Sequence, residues 1–340
     1  MKILILGGTA FLGRHLAAAA LARGHEVTLF NRGRTRPHLF PEVERLQGDR
    51  TRDLTALSGG TWEAVIDTSG YTPATVRRSA AALAEAAAHY TFVSSVSAYA
   101  EFPLSGIDER APVRSLTAEE LAEGERLAAG GAGAAPSFGP SYGGLKALCE
   151  QAAEDAMPGR VLCVRPGLIV GPYDYSDRFT YWVRRVARGG EVLAPGRPDR
   201  QMRWIDARDL ARWLVRMAEA RRTGVYNATG SAEGVTMEQL LTQCRAAAGS
   251  DASFTWVDDQ FLIEQEVGAW IELPLWLPEE YNGFFEIQND RAVAAGLTFR
   301  PLAATVADTL AWDRVRTSEP TWETGLDPAV ERRLLRRYSS

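Results

Sequence analysis

Short apolar runs alternate with helix-length amphipathic segments through the first half of the chain. The short runs are almost continuously apolar, which is typical of parallel strands that are buried on both faces of a sheet. Strands are predicted at residues 2–6, 26–30, 64–67, 90–94 and 160–165, and helices at 11–23, 73–88 and 142–155. This order predicts an α/β fold, a doubly wound parallel sheet with helices on both faces.

The second half of the chain follows a different pattern. All tryptophans except Trp62 lie after residue 171, and the prolines within 272–278 argue against a long helix there. We predict a large domain over 1–170 and a smaller, irregular lobe over most of 171–340, with elements around 200–230 returning to the sheet. Residues 128–140, rich in glycine, alanine, serine and proline, are predicted to form a mobile loop.

Composition limits the classes of function. The chain has 340 residues, of which 46% are hydrophobic, and a net charge of −5. This charge disfavours nucleic acid and anionic membrane surfaces as partners, because phosphate groups are bound by a basic field. Three widely spaced cysteines and four scattered histidines predict neither a disulfide framework nor a metal site. The first strand leaves no room for a signal peptide and no apolar run reaches about 18 residues, so we expect a cytoplasmic protein.

A glycine-rich turn joins the first predicted strand to the first helix. Residues 7–13 read Gly-Gly-Thr-Ala-Phe-Leu-Gly. Glycine lets the chain turn tightly, and the free N–H groups at the start of the helix are suited to a pyrophosphate. The strict Gly-x-Gly-x-x-Gly pattern is not met, but the position of the turn favours a dinucleotide-binding Rossmann domain. The expected cofactor contacts in this turn are Gly7, Thr9, Ala10, Phe11 and Leu12.

The end of the second predicted strand bears on the choice of cofactor. An acidic residue there would bind the ribose 2′-hydroxyl of NAD(H), but the chain has Asn31, Arg32 and Arg34. Guanidinium groups match a phosphate well, so these residues favour NADP(H), with NAD(H) as the alternative. A solvated basic turn without function is the other interpretation of the same residues.

Lys146 and Lys2 are the only lysines, and every other Lys/Arg position holds arginine. Lys146 follows Tyr142 by four residues, which places both side chains on one face of a helix. A compact ammonium there would stabilise a tyrosinate and draw the pKa of the phenol down from about 10, as general acid–base catalysis requires. The alternative is a surface pair without function, because Tyr-x-x-x-Lys often arises by chance.

Several short motifs occur in one order along nearly the whole chain. They are the glycine turn, Gly-Asp-Arg at 48–50, Asp-Thr-Ser-Gly-Tyr at 67–71, Ser-Ser-Val-Ser-Ala-Tyr at 94–99, Tyr142 with Lys146, Arg-Pro-Gly-Leu-Ile-Val-Gly-Pro at 165–172, Asp-Leu-Ala at 209–211, and Arg-Ala-Val at 291–293 before Gly-Leu at 296–297. In this order and spacing, they resemble the extended short-chain dehydrogenase/reductase superfamily, and within it the NAD(P)-dependent epimerase/dehydratase-like family.

The resemblance implies roles for the catalytic residues. Ser95 would hydrogen-bond the substrate oxygen and Tyr142 would pass the proton. Lys146 would hold the nicotinamide ribose while lowering the pKa of the tyrosine. Taken alone, Ser95 would be read as a strand-end serine that caps a turn. Members of this family often form homodimers through the helix that bears Tyr142, so the resemblance is compatible with a homodimer but leaves the oligomeric state open.

The resemblance further implies contacts with the cofactor and with a small-molecule substrate. Asp49 would meet the adenine, and Pro166 would support the nicotinamide. The remaining expected cofactor contacts are Arg50, Thr68, Ser69 and Gly70. The expected substrate contacts are Tyr71, Ser97, Arg178 and Arg203.

Departures from the family pattern reduce the number of functions that the family resemblance allows. Family dehydratases have an Asp-Glu pair directly after the catalytic serine or threonine, where this chain has Val96 and Ser97, so a dehydratase is not expected. Nucleotide-sugar members place an arginine, which binds the diphosphate, where this chain has Met202; Arg200 and Arg203 flank that position. A related group of chloroplast RNA-binding proteins lacks the Tyr/Lys pair, and the negative charge of this chain opposes RNA binding.

Three hypotheses follow. The leading one is an NADP(H)-dependent oxidoreductase that interconverts a ketone and a secondary alcohol on a small polar metabolite, such as a sugar, nucleoside or polyol. The alternative is a sugar or nucleotide-sugar epimerase that retains its cofactor. The third is a non-catalytic protein that senses a dinucleotide, because a fold does not fix a function.

Overall fold

We describe the fold from a computed structural model, for residues 1–103, 106–129, 139–316 and 324–339. The strands are β1 (Lys2–Leu6), β2 (Glu26–Asn31), β3 (Glu44–Gln47), β4 (Ala64–Asp67), β5 (Tyr90–Val93), β6 (Val161–Pro166), β7 (Leu168–Val170), β8 (Glu191–Pro195), β9 (Gln201–Met202), β10 (Trp204–Asp206), β11 (Gly224–Ala228), β12 (Val235–Thr236) and β13 (Ser253–Val257). The helices are α1 (Phe11–Ala22), α2 (Pro73–Leu83), α3 (Ala118–Ala129), α4 (Tyr142–Ala156), α5 (Arg178–Ala187), α6 (Ala207–Glu219), α7 (Met237–Ala248), α8 (Asp259–Glu264), α9 (Asp290–Ala294), α10 (Leu302–Arg314) and α11 (Pro328–Tyr338).

Seven parallel strands form the central sheet, in the order β11-β6-β5-β4-β1-β2-β3. Successive side chains of a strand point to opposite faces, and β1 illustrates the consequence. Ile3 and Ile5 belong to the core that contains α1 and α6, whereas Leu4 and Leu6 belong to the core that contains α2 and α4. The prediction of a doubly wound parallel sheet is confirmed.

Strand β3 and helix α3 of this half are among the elements absent from the sequence-based prediction. Strand β3 lies at the edge of the sheet, and its sequence Glu-Arg-Leu-Gln is too polar to form an apolar run. Helix α3 covers the start of the predicted loop at 128–140, and 130–138 of that loop lie outside the described residues.

The predicted helix at 73–88 is too long, since α2 ends at Leu83. The chain beyond it runs beside Trp62 instead. The N–H of Trp62 donates to the carbonyl of Ala86 at 2.8 Å, and the N–H of Ala88 donates to the carbonyl of Trp62 at 3.3 Å. These bonds to a neighbouring segment replace the helical ones.

The C-terminal part has a core of its own, built on α5, α7 and α10. Trp182, Leu240 and Leu310 are buried in this core. Residues 207–228 lie outside it, because α6 packs against α1 and β11 pairs with β6 in the central sheet. The division of the chain near residue 170 stays a prediction. Within the described residues, no helix combines the length and the apolar character needed to cross a membrane.

Candidate active site

A cleft of about 970 Å³ opens along the carboxyl ends of the sheet strands, where ligands of doubly wound folds bind. The loops after β1, β2, β4, β5 and β6 all contribute to it. Most of the predicted site residues line this one cleft: Gly7, Thr9, Ala10, Phe11, Leu12, Asn31, Arg32, Arg34, Asp49, Arg50, Thr68, Ser69, Tyr71, Ser95, Tyr142, Lys146 and Pro166.

The glycine turn after β1 requires its glycines for steric reasons. Gly7 and Gly8 have φ angles of 119° and 91°, which disfavour any side chain. A Cβ on Gly13 would lie 2.7 Å from the backbone nitrogen of Gly8, so glycine there lets α1 approach the turn closely. Ala10, the N-cap residue of α1, offers no side-chain cap, and the first turn of α1 has no acidic residue. The N–H groups at this helix start are therefore left for an anion in the cleft.

The loop after β2 forms the basic end of the cleft. Asn31 is used internally, because its Nδ2 donates to the carbonyl of Gly7 at 3.0 Å. Arg32 and Arg34 are exposed and line the cleft, and neither guanidinium has a hydrogen-bond or ion-pair partner among the described residues. The Asp49 carboxylate, also at this end, accepts from the N–H of Thr51 at 3.0 Å. Two cations without a hydrogen-bond or close ion-pair partner among the described residues thus stand at one end of the cleft, and the charge of Arg32 helps to lower the pKa of the nearby Asp49.

Arg50 lies in the cleft wall, but its donors are already used. Its guanidinium forms a two-pronged ion pair with Asp67, at 2.6 and 2.7 Å, and donates to Ser69 at 3.1 Å. Burial would raise the pKa of Asp67, yet pairing with Arg50 holds it below its usual value. The placement of Arg50 therefore indicates that it neutralises a buried carboxylate beneath the cleft.

Ser95 and Tyr142 meet at the opposite end of the cleft. Ser95 begins a tight 3₁₀ turn after β5, and its Oγ accepts from the N–H of Ser97 at 3.1 Å. Tyr142 begins α4, and its phenol interacts with the Ser95 hydroxyl; this contact opposes the rise in the pKa of Tyr142 that burial causes. Glycine at position 143 permits this approach, because a Cβ there would lie 1.9 Å from the carbonyl oxygen of Ser97.

Lys146 lies one helical turn after Tyr142 and is 3% exposed. Its Nζ donates to the carbonyl of Gly70 at 2.8 Å and to that of Val93 at 2.7 Å, and lies 4.3 Å from the centre of the Phe92 ring. Burial lowers the pKa of this ammonium. An ammonium has three donors, so one N–H is left for a ligand in the cleft.

The pKa of Tyr142 is shifted in the direction opposite to our expectation. Burial raises it, and the nearby phenol of Tyr175 adds to that effect, while Ser95 and Arg178 oppose it. The prediction that Lys146 draws this pKa below its ordinary value is therefore wrong. The ammonium satisfies two backbone carbonyls, and withdrawal of the phenol from water dominates.

Four predicted site residues do not line the cleft. Gly70 lies behind Lys146 and accepts its hydrogen bond, and Ser97 supports Ser95 through its N–H. Arg178 lies beside Tyr142, close enough for its charge to lower the pKa of that group. Arg203 is held away, since its guanidinium donates to the carbonyl of Ala232 at 2.8 Å and to that of Ile287 at 3.3 Å.

Sequence reasoning misses several residues that line the cleft, among them Tyr175 and Glu125. Tyr175 is 56% exposed, interacts with the Tyr71 hydroxyl, and stands edge-on to Phe11 with ring centres 6.3 Å apart. Its position a few residues after the strand-end Gly171-Pro172 is the signal that could have identified it. Glu125, on the unpredicted helix α3, also lines the cleft.

The sequence profile of the NAD dependent epimerase/dehydratase family matches residues 3–118 and 141–229. The chain belongs to this family. A 2-alkyl-3-oxoalkanoate reductase of Stenotrophomonas maltophilia (strain K279a) is 29% identical over 283 residues, which make up 74% of this chain and 76% of that protein. The family predicted from the motifs is thus confirmed.

Two solved structures illustrate the shared fold. WbmH of Bordetella bronchiseptica, in complex with NAD⁺, has a TM-score of 0.67 and 18% identity, with 93% of this chain and 99% of that chain covered. The human epimerase family protein SDR39U1 (isoform 2), with NADPH, has a TM-score of 0.59 and 20% identity, with 92% and 99% covered. Family membership makes the chain an NAD(P)-dependent oxidoreductase or epimerase of the short-chain dehydrogenase/reductase type.

Proposed function

We propose that the protein is an NADP(H)-dependent oxidoreductase that interconverts a ketone and a secondary alcohol. The observation that carries this proposal is the shape of one cleft. Ser95, Tyr142 and Lys146 converge at one end of it, and the unpaired guanidinium groups of Arg32 and Arg34 stand at the other. A dinucleotide phosphate fits both ends, with its diphosphate at the uncapped start of α1.

The free donors in the cleft suit different parts of this cofactor. Arg32 and Arg34 would bind the 2′-phosphate, because guanidinium groups form charge-assisted bonds with phosphate. The remaining N–H of Lys146 would go to the nicotinamide ribose. Of the two structural relatives, one is a complex with NADPH and the other with NAD⁺, so the choice for this chain depends on the two arginines.

The catalytic residues would transfer the proton that the reaction requires. When bound, the dinucleotide supplies the hydride. Tyr142 carries its proton at neutral pH, as a phenol with an ordinary pKa of about 10 already does, and burial raises its pKa further. It is therefore able to donate that proton to the carbonyl oxygen as the alcohol forms. Ser95 would position the same oxygen by a hydrogen bond. Ser95 and Arg178, which both lower the pKa of Tyr142, would stabilise the tyrosinate that remains.

The surroundings of Met202 argue against a nucleotide-sugar epimerase. Met202 stands where nucleotide-sugar members have their diphosphate-binding arginine and is 1% exposed. Arg200, which might have replaced that arginine, pairs with Asp259 at 3.0 Å and donates to the carbonyl of Leu277 at 2.8 Å. Arg203 is bonded to backbone carbonyls. The relative from Stenotrophomonas maltophilia, named as a reductase, also favours net reduction.

The test is the consumption of NADPH with two ketones, 3-oxooctanoate and its methyl ester. We expect the parent to reduce at least one of them, and Tyr142→Phe to lower turnover by about 10²–10⁴-fold, the usual contribution of general acid–base catalysis. In calorimetry, Tyr142→Phe should bind NADPH with the same affinity as the parent. Tyr281→Phe, which removes the hydroxyl of an exposed tyrosine, is the matched control. Near-full activity of Tyr142→Phe, or epimerisation of a nucleotide sugar without net NADPH consumption, would refute the proposal.

A further inference from the structure

Arg178 is a half-buried cation whose guanidinium has no hydrogen-bond or ion-pair partner among the described residues. It begins α5, and its Nε is buried without a hydrogen-bond acceptor. No described residue forms a hydrogen bond or an ion pair with its guanidinium. Arginine keeps its charge at all physiological pH values, and a buried donor without an acceptor is unfavourable. The group therefore calls for an acceptor from outside the chain.

The acids nearest to Arg178 in sequence are bonded elsewhere. Asp174 accepts from the N–H of Ser176 at 2.8 Å and from its hydroxyl at 3.0 Å. Asp177 accepts two bonds from Arg316, at 2.7 and 3.0 Å. Neither carboxylate forms a hydrogen bond or a close ion pair with Arg178, although the charge of Asp174 acts on the guanidinium from nearby.

Several other arginines with little exposure have carboxylate partners. Arg165 pairs with Glu150 at 2.6 Å, Arg184 with Asp313 at 2.6 Å, and Arg185 with Glu331 at 2.7 Å. The fold thus neutralises these guanidinium groups internally. Arg14, which is also half-buried, lacks a carboxylate partner too, but its guanidinium lies 3.5 Å over the centre of the Tyr173 ring. Arg178 differs from Arg14 in having a buried Nε without an acceptor.

The surroundings of Arg178 define the ligand further. On one side its charge acts on the phenol of Tyr142, the proposed proton donor. On another side its central carbon lies 5.5 Å from the centre of the Trp270 ring, which packs edge-on against Phe284 at 5.2 Å. An anionic group and an apolar group of one molecule would both find a partner here.

We propose that the substrate is a ketone that also carries a carboxylate, with the carboxylate on Arg178 and an apolar chain against Trp270 and Phe284. This inference rests on the proposed reductase function and names its substrate class. A single guanidinium matches the two oxygens of a carboxylate in a planar, two-pronged pair. The neighbouring carboxylate of Asp174 disfavours a second negative charge, and this favours a carboxylate over a phosphate dianion.

Binding of unreactive probes tests the site without turnover. Octanoate, octanamide and octyl phosphate are titrated by calorimetry into the protein saturated with NADP⁺. We expect octanoate to bind roughly 10- to 100-fold more tightly than octanamide, the typical effect of a charge-assisted hydrogen bond. Arg178→Gln should abolish this preference while octanamide binds as before, and Arg178→Lys should keep part of it. Arg188→Gln, which changes an exposed arginine at the other end of α5, should change neither affinity.

The outcomes separate this inference from the proposed function. Equal binding of octanoate and octanamide, binding of neither, tighter binding of octyl phosphate, or a preference that survives Arg178→Gln would each overturn the inference. If the methyl ester is reduced as well as 3-oxooctanoate and the reaction depends on Tyr142, the reductase function stands and the carboxylate site does not. If the preference for octanoate over octanamide depends on Arg178 but no ketone is reduced, the carboxylate site stands and the reductase function does not.

Discussion

The contact between Gly143 and Ser97 allows a sharp test of how the active site is assembled. A Cβ at position 143 would lie 1.9 Å from the carbonyl oxygen of Ser97 and 2.8 Å from its carbonyl carbon. Ordinary contacts begin near 3.4 Å, so Gly143→Ala must separate α4 from the turn after Ser95 by about 1.5 Å. Both partners are backbone, and no side-chain rotation can relieve the clash.

This separation would lower the rate of catalysis more than the affinity for the cofactor. Overpacking of this kind costs about 1–3 kcal/mol of stability. Because Tyr142 precedes the altered residue, the phenol would move relative to Ser95, and a displacement of about 1 Å can lower the rate about 10²-fold. We expect kcat/KM for the reduced ketone to fall about 100-fold. NADPH affinity should change little, since the glycine turn and the arginines lie elsewhere.

Gly144→Ala is the matched control, because it changes the next residue of the same helix. Its Cβ would meet the Leu116 side chain at 2.4 Å, but that side chain can rotate away. Alanine is also favoured over glycine within a helix by about 1 kcal/mol. The variants are compared by urea unfolding, calorimetry with NADPH, and kcat/KM. A folded Gly143→Ala protein with kcat/KM within about threefold of the parent, or an equal loss in Gly144→Ala, would refute this reasoning.

Three further predictions concern charged side chains. Lys146→Arg should abolish most turnover and weaken NADPH binding, because a wide guanidinium does not fit a buried position shaped for an ammonium; Lys2→Arg is the control, and equal kcat values would contradict this. Arg32→Asp should reverse a preference for NADPH over NADH in calorimetry, since one charge-assisted bond contributes about 1.5–3 kcal/mol; equal affinities in the parent would defeat it. Burial raises the pKa of Asp174 from 3.8 to about 6, so its ionisation destabilises the folded state as pH rises through that range. Asp174→Asn should therefore gain on the order of 3 kcal/mol over the parent in urea unfolding at pH 7 and nothing below pH 4, and a pH-independent difference would exclude this cause.

The sequence alone was enough to predict those elements and site residues whose patterns extend over only a few neighbouring residues. Continuous apolar runs identified β1 and its buried neighbours, because a strand covered on both faces needs no polar residues. The glycine turn at 7–13 and the basic residues after β2 followed from steric and charge requirements that hold within a few residues. The four-residue spacing of Tyr142 and Lys146 is equally local, because it corresponds to one turn of any α-helix.

Only the tertiary structure decided which of the charged residues are free. Arg200 is neutralised by Asp259, which lies 59 residues away, and Arg50 by Asp67. Nothing in the local sequence separates Arg178 from these arginines, but its guanidinium has no hydrogen-bond or ion-pair partner among the described residues. The edge strand β3 and helix α3 also depend on neighbours, because their residues form no apolar run that predicts them.

The pKa of Tyr142 is a further property that the sequence suggests but only the tertiary structure determines. Its spacing to Lys146 was readable in the sequence, yet the direction of its pKa shift was not. That direction depends on how much water the fold removes from the phenol, and on two backbone carbonyls that take the donors of Lys146. Burial and pairing across long sequence separations are properties of the folded chain, and local sequence patterns carry little information about them.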